Sequence, residues 1–290
     1  MSVSPTSPNL RNPAVAIASN SMQDRNLQRA AHGLLARAPM RNALICLISL
    51  MILTMALACR NSTDQPSPTP PRSAGCKDLP DGSTLLKLLQ DAPAQNGDAG
   101  GLNHGKAMWG ALVARNGELC SLAVSTSDAA ATWPGSRGIA IAKASTANGF
   151  STDTVPLSTA RLYTLAQPGH SLFGAAQGNP LNPLCAGGGN DTTTGIGRVC
   201  GGTITFGGGV AFYRGQTRVG ALGVSGDTAC ADHEIAKRVR QAAGYAPAGL
   251  PSDDIVYSGV DGPSVYAHPF CANTYRDGRK VGDEPASAGY

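Results

Sequence analysis

Charged and aromatic side chains are both scarce in this chain. Of its 290 residues, 14% are charged and 5% are aromatic, whereas 42% are hydrophobic. Charged residues usually make up about a quarter of a globular protein, so the chain does not have the composition of a charge-driven disordered protein. Because aromatic rings are few, a core must be built from alanine, valine, leucine and isoleucine at close approach. Glycine and proline, 36 and 20 in number, indicate many loops.

The basic charge of the chain is confined to its first residues. The formal net charge is +4, and the region before Cys59 already accounts for it, with five arginines against the single acidic residue Asp24. The remainder is therefore neutral. This neutral remainder has no excess of basic residues that would attract nucleic acid or anionic lipid.

An uncharged apolar run covers residues 43–58 and precedes Cys59. It is shorter than the about 20 apolar residues that span a bilayer, and its basic flank and small final residues are typical of a secretory signal. The sequence Ala56-Leu57-Ala58-Cys59 resembles a bacterial lipobox, in which the cysteine thiol is lipidated. An ordinary signal peptide or a short membrane anchor are the alternatives. Residues 1–39 are long and polar for such a signal, so we expect Met40 to be the true start.

The sequence divides into three regions. Residues 1–58 form the signal region, and residues 59–75 form a lipidated cysteine followed by a tether rich in proline and serine. Residues 76–290 are expected to form one domain with an irregular tail from residue 245. Because Arg60 rather than an aspartate follows Cys59, we expect an outer-membrane lipoprotein that faces the periplasm.

Six cysteines remain after the signal and the lipidated Cys59 are set aside. An even number in an exported chain favours disulfides. Two of them bracket a polar, glycine-rich insertion, and closing a loop of that size contributes roughly 3 kcal/mol. None has the spacing of a zinc site. We predict the pairs Cys185–Cys200, Cys230–Cys271 and, by elimination, Cys76–Cys120.

Local patterns predict helices and hairpins in alternation. Ser83 is expected to cap a short first helix, and Asn116-Gly117 is a strong hairpin signal between residues 107–115 and 118–125. Further elements are a helix over 136–150, a hairpin of 203–213 with 217–225 and a bend at the glycines 207–209, and a helix over 232–243 that ends at Gly244. This order predicts an α+β domain with a mostly antiparallel sheet.

Lys143 interrupts the apolar face of the predicted helix over 136–150. That face contains Ile139, Ala142, Thr146, Ala147 and Phe150. A lysine at this place must extend its ammonium to water, pair with an acid, or contact a ligand or a second subunit.

Several fragments begin like catalytic motifs and then fail. Gly169-His170-Ser171 and Gly223-Val224-Ser225-Gly226 lack the final glycine of a nucleophile elbow, and the glycines 207–209 are not followed by the lysine of a phosphate-binding loop. The histidines are scattered, without metal-binding or acid–base spacing, so we assign no catalytic residue and no metal site. His233, in the first turn of the last helix, is expected to be solvated.

Two segments carry more information than their periodicity. Residues 137–154 and 218–236 resemble the two signature segments of the GlcG/HbpS haem-binding family. The first contains Lys143-Ala144, Thr146-Ala147, Phe150 and Thr154. The second contains Gly220-Ala221, Gly223-Val224-Ser225-Gly226, Asp232 and Ile235-Ala236. The resemblance covers about residues 105–244.

The resemblance implies a profilin-like α/β/α sandwich, commonly a homo-oligomer, that binds or degrades haem. We expect Lys143 to line a pocket near Thr146, Thr154 and the Ser225-Gly226 turn, where it could pair with a haem propionate. His170 or His268, which lie in loops rich in proline and glycine, could ligate the iron.

Three functions follow from these observations. The first is a periplasmic lipoprotein that binds haem, or a similar small ligand, for sequestration or sensing. The alternative is a non-enzymatic accessory module of a periplasmic oxidoreductase, which a neutral surface without an acid–base cluster also suits. An enzyme that acts on haem or a small metabolite is the third.

Overall fold

The computed structural model describes residues 72–285. The predicted signal region, Cys59 and most of the predicted tether lie outside this range. Two residues at its start already contact the domain, since Arg72 donates to the carbonyl of Leu79 at 2.9 Å and the hydroxyl of Ser73 donates to Glu118 at 2.7 Å. Within residues 72–285, no helix is both long and apolar enough to cross a membrane.

The described residues form five α-helices and six strands, besides short 3-10 turns. The helices are α1 (Gly82–Asp91), α2 (Ser136–Phe150), α3 (Ala175–Gly178), α4 (Ala229–Ala242) and α5 (Ser258–Asp261). The strands are β1 (Asp98–Gly100), β2 (Trp109–Ala114), β3 (Leu119–Val124), β4 (Gly209–Arg214), β5 (Thr217–Ser225) and β6 (Thr274–Gly282).

A four-stranded antiparallel sheet lies between two layers of helices. Its strand order is β3-β2-β5-β4. Alternate residues of β2 point to opposite faces: Ala111 and Val113 pack in the cluster that contains α2, and Leu112 and Ala114 pack in the cluster that contains α1 and α4. The protein is therefore a mixed domain with an antiparallel sheet and helices on both faces, as predicted.

Both predicted hairpins are present. The turn at Asn116-Gly117 joins β2 to β3, and the amide of Gly117 donates to the carbonyl of Ala114 at 2.8 Å. In the second hairpin, β4 begins only at Gly209, so most of the glycine run precedes the strand. Gly208 has φ +122, and a Cβ there would clash with the carbonyl of Val224. The glycine lets the chain enter the sheet at this tight place.

The three long helices agree with the predicted ones in place but differ in detail. Asp81, not Ser83, caps α1, because its carboxylate accepts the amide of Thr84 at 2.7 Å. In α2 the residues that pack on the sheet are Ala140, Ile141, Ala144 and Ala147, whereas Ile139 and Phe150 are only half-buried. The predicted apolar face was therefore wrong in part, since residues 202–204 cover a second side of this helix.

The tail is more regular than predicted. Residues Thr274–Gly282 form β6, which pairs antiparallel with β1, so that Asp98 lies opposite Gly278 and Gly100 opposite Thr274. The sequence of β6 is polar and contains two glycines, and for this reason it lacks the alternation that would indicate a strand.

The three predicted disulfides are confirmed. Cys76 pairs with Cys120, Cys185 with Cys200, and Cys230 with Cys271. The second pair closes the glycine-rich insertion, and the third connects the first turn of α4 to the segment before β6.

Candidate functional site

The two segments that carry the family resemblance meet in a buried ion pair. The ammonium of Lys143, on α2, lies 2.6 Å from the carboxylate of Asp232, on α4, and 3.0 Å from the carbonyl of Val224. It also lies 4.9 Å from the centre of the Phe206 ring. The Lys143 side chain has no exposed surface. Burial lowers the pKa of Lys143, and burial raises the pKa of Asp232 to about 6, with the partner charge opposing each shift.

This arrangement corrects the predicted pocket at Lys143. Of the alternatives considered from the sequence, the structure shows the pairing with an acid: the ammonium binds Asp232 and does not reach a surface opening. The sequence could not show this, because Asp232 is 89 residues away along the chain.

The other residues predicted around that pocket also have protein partners or lie apart from it. Thr146 is buried, accepts the amide of Ile204 at 2.9 Å and donates to the carbonyl of Ala142 at 2.7 Å. Ser225 is buried at the end of β5, and a Cβ at Gly226 would clash with the carbonyl of Ala107. Thr154 is exposed beyond α2, beside the hydroxyl of Thr152. The structure does not gather these side chains around one opening.

Asp227, next to the predicted turn, holds the loop before β2. Its carboxylate accepts the amides of Leu102 at 2.7 Å and Asn103 at 2.8 Å. Its own amide donates to Asp232 at 3.0 Å. The buried pair of Lys143 and Asp232 is thus connected, through Asp227, to a loop on the surface.

Arg238 holds the segment just before this loop. Its guanidinium is buried and donates to Glu234 at 3.0 Å and to the carbonyls of Ala92, Gly97 and Asp98 at 3.2, 2.9 and 3.0 Å. Donation to several backbone carbonyls fixes the path of a segment that has little apolar packing of its own. Two side chains from the β5–α4 region therefore fix residues 92–105 in place.

His104 lies on the loop that these contacts hold. Its Nδ1 is 2.9 and 3.0 Å from the two carboxylate oxygens of Asp98. Burial opposes ionisation of Asp98, but the bonds from the Gly100 amide and from His104 outweigh it and lower its pKa. An ionised carboxylate only accepts hydrogen bonds, so Nδ1 donates to Asp98, and in the neutral ring this tautomer leaves the lone pair on Nε2. Within residues 72–285, Nε2 has no hydrogen-bond partner.

The backbone of His104 has φ +53, in the left-handed region that is uncommon for residues other than glycine and in which asparagine, aspartate and histidine are enriched. Such conformations are maintained only where the surrounding contacts enforce them, and they concentrate at functional sites.

A cleft of about 410 Å³ opens beside His104. The lining residues are Pro93, Ala94, Gly97, Asp98, His104 and Lys106. Its volume is within the roughly 300–1,000 Å³ that is typical of ligand sites. It combines an apolar wall, an imidazole with a free nitrogen and an exposed lysine.

The remaining histidines differ from His104 in their surroundings. His170 is exposed on its loop. His268 is buried: its Nδ1 donates to the Pro269 carbonyl at 2.7 Å, its Nε2 accepts the Gly207 amide at 3.3 Å, and burial lowers its pKa to about 4. Of the two histidines considered as iron ligands, His268 is therefore not available, since both of its ring nitrogens are engaged inside the domain.

His233 was expected to be solvated, and this prediction is wrong. Its side chain is 1% exposed, and its Nε2 lies 3.2 Å from the carboxylate of Asp254. Residues after α4, which the sequence left irregular, cover His233, which lies in the second turn because α4 begins at Ala229 and not at the predicted residue 232.

One group of side chains has the composition of a metal site. Cys230, His268 and Cys271 place their ligand atoms within 4.8 Å of one another. The two sulfurs form a disulfide, however, and a disulfide does not offer the thiolates that bind metals.

Sequence reasoning missed His104 and Asp98. The available signal was a histidine six residues after an aspartate in a glycine-rich segment, GDAGGLNHGK. No periodic pattern brings these two residues together; a turn held by Asp227 does so.

Comparisons with known proteins agree with the resemblance. The family model described as "Haem degrading protein HbpS-like" matches residues 98–241, about half of the chain. This range contains Lys143, Asp227, Asp232 and Arg238, and it begins at Asp98. No curated protein matches the chain.

Three solved structures are similar in part. A PduOC:heme complex is 21% identical with a TM-score of 0.39, and the match covers 55% of this chain and 89% of that chain. Protein ORFY of Klebsiella pneumoniae is 19% identical with a TM-score of 0.39, covering 57% and 88%. A double mutant of HbpS from Streptomyces reticuli is 18% identical with a TM-score of 0.33, covering 61% and 96%. At these identities and TM-scores, the similarity does not show that this chain binds the ligand of any of these proteins.

The match to the family model decides the assignment. The matched residues contain both segments that form the buried ion pair and the loop that this pair supports. Through residues 98–241, the chain belongs to the HbpS-like family.

Proposed function

We propose that this protein binds haem in the cleft beside His104. The observation that carries the proposal is the imidazole whose Nδ1 is bonded to Asp98 and whose Nε2 is free at a cleft with an apolar wall. A carboxylate on the far nitrogen of a ligand histidine is the usual arrangement at metal centres, because it fixes the tautomer and the ring orientation. The residues present therefore fit a haem.

Each residue of the cleft has a distinct role in this proposal. His104 would offer Nε2 to the iron, and Asp98 would hold the ring through Nδ1. Lys106, exposed beside the cleft, would pair with a propionate, and Pro93 and Ala94 would supply apolar contact. Arg238 and Asp227 keep the two sides of the cleft in position through the backbone. A bound haem would supply the redox chemistry of its iron.

We further propose that the domain acts outside the cytoplasm as an outer-membrane lipoprotein, anchored at Cys59, that sequesters or senses haem. The lipobox at residues 56–59 supports the anchor. The three disulfides of the described region support an oxidising compartment, because such bonds persist mainly in exported proteins. We also expect a homo-oligomer, as the resemblance implies.

The test is a titration of the purified protein, in detergent, with hemin. We expect a saturable Soret shift at one haem per chain. His104→Asn should weaken binding more than about 10-fold, since even changes to the partners of metal ligands typically cost 10- to 100-fold. Asparagine is chosen because it tolerates the left-handed backbone at this position.

His170→Asn is the matched control, because His170 is the other exposed histidine that was considered as a ligand. We expect it to bind hemin like the unsubstituted protein. The opposite pattern, with loss only in His170→Asn, would move the iron ligand to His170. A free-hemin spectrum in all three proteins would refute haem binding and favour the accessory module.

A further inference from the structure

Asp98 is more than a neighbour of His104. Its two carboxylate oxygens lie 2.9 and 3.0 Å from Nδ1, and one of them also accepts the amide of Gly100 at 2.9 Å. The carboxylate is two-thirds buried. Its backbone is fixed on both sides, since it pairs with β6 opposite Gly278 and its carbonyl accepts from Arg238. The bond between Asp98 and His104 is thus part of a rigid unit.

A hydrogen bond from Nδ1 to an ionised carboxylate changes the other nitrogen of the ring. The carboxylate draws the Nδ1 proton toward itself and raises the basicity of Nε2. A more basic axial ligand donates more electron density to iron, and such donation stabilises the more positive oxidation state.

Resting on the proposed function, we infer that Asp98 sets the oxidation-state preference of this haem site, because its hydrogen bond to Nδ1 of His104 makes Nε2 a stronger donor that favours ferric over ferrous iron. Asp98 is a positioning residue in this role, since it acts through His104 and touches no haem atom. The site is then suited to hold haem in its oxidised form.

A second carboxylate nearby, that of Asp277, provides a control that distinguishes the effect of the hydrogen bond from the effect of negative charge alone. Asp277 directly precedes Gly278, the β6 residue that lies opposite Asp98. Its carboxylate binds the ammonium of Lys237 at 2.9 Å and does not contact His104. Asp277→Asn therefore removes the same charge from the adjacent strand while leaving the bond to His104 in place. Asparagine also suits the left-handed backbone of Asp277, which has φ +51.

The experiment measures the dissociation constants of ferric and ferrous haem for the unsubstituted protein, Asp98→Asn and Asp277→Asn. The ratio of the two constants gives the reduction potential of bound haem relative to free haem, even for a variant that binds weakly. We expect Asp98→Asn to shift this ratio about tenfold toward ferrous haem, which corresponds to about 59 mV for one electron. Asp277→Asn should leave the ratio unchanged.

Two outcomes would overturn the inference. If Asp98→Asn weakens ferric and ferrous binding equally, the carboxylate only orients the ring. If both variants shift the ratio by the same factor, local charge and not the hydrogen bond sets the preference. Failure of the proposed function is a separate result: the unsubstituted protein would then bind neither form, or His104→Asn would bind both normally.

Discussion

Replacing Lys143 with methionine should destabilise the domain in a way that depends on pH. The change removes the ammonium from Asp232 and leaves that carboxylate buried, with the amide of Asp227 as its remaining charge-neutral partner. Methionine fills a similar volume in an apolar environment, so the packing of α2 is preserved. The loss of stability therefore measures the cost of leaving the Asp232 carboxylate buried without its charged partner.

The expected cost follows from the burial of both groups. Removing one partner of a buried ion pair typically costs about 3–5 kcal/mol. The carboxyl can reduce this cost by taking up a proton, since burial already raises the pKa of Asp232 to about 6 and loss of the ammonium raises it further. The unfolded carboxyl ionises near pH 3.9. Between that pH and the pKa of the folded carboxyl, the unfolded chain is ionised while the folded chain keeps the proton. The loss of stability caused by Lys143→Met therefore increases with pH by at most about 1.4 kcal/mol per pH unit.

Urea denaturation at pH 5, 7 and 8, with the disulfides intact, measures the free energy of unfolding. The difference between Lys143→Met and the unsubstituted protein should be smallest at pH 5. Adding Asp232→Asn to Lys143→Met should recover part of the loss, because the amide still accepts from Asp227 and carries no charge. Lys87→Met is the control, since Lys87 forms a solvent-exposed pair with Asp91 on α1 and such pairs contribute little. Equal stability of Lys143→Met and Lys87→Met at all three pH values would refute the reasoning.

Two further predictions concern the buried side chains of Arg238 and His268. Arg238→Met removes the guanidinium that donates to Glu234 and to four backbone carbonyls, those of Ala92, Pro93, Gly97 and Asp98. It should cost about 3–5 kcal/mol and increase hydrogen exchange over residues 92–98. Increased exchange confined to other segments would contradict the role of Arg238. Burial lowers the pKa of His268 to about 4, so the unfolded chain, with a histidine pKa of about 6.5, takes up a proton first as pH falls. The free energy of unfolding should therefore fall between pH 6.5 and 4, by an amount on the order of 3 kcal/mol from this residue. His268→Gln should flatten this dependence of stability on pH, and an unchanged slope would show that other groups cause it.

The elements that could be predicted from the sequence are those with a local signal. The turn at Asn116-Gly117 defines one hairpin, and the period of residues 136–150 gives α2 its bounds. The disulfide between Cys185 and Cys200 could be predicted because the insertion between them has no other means of order. In each case a few neighbouring residues determine the result.

The site depends on distant contacts, and for this reason it could not be predicted. Lys143 was recognised as unusual, but its partner Asp232 comes from another element. His104 gains its orientation from Asp98 only because Asp227 and Arg238 hold the intervening backbone. The strand β6 was missed because its residues are polar, and its formation depends on pairing with β1 rather than on its own propensity.

The pairing of β1 with β6 has a consequence for biosynthesis. His104 and Asp98 are translated early, whereas the partner strand, Thr274–Gly282, is translated about 170 residues later. Until that strand has left the ribosome, Asp98 lacks its neighbour opposite Gly278, and the disulfide that precedes β6 cannot form. A nascent chain thus carries His104 before the strand pairing that fixes its partner Asp98 can form. Under the proposed function, a ligand of His104 would therefore meet the oriented imidazole only after residues 274–282 have been made.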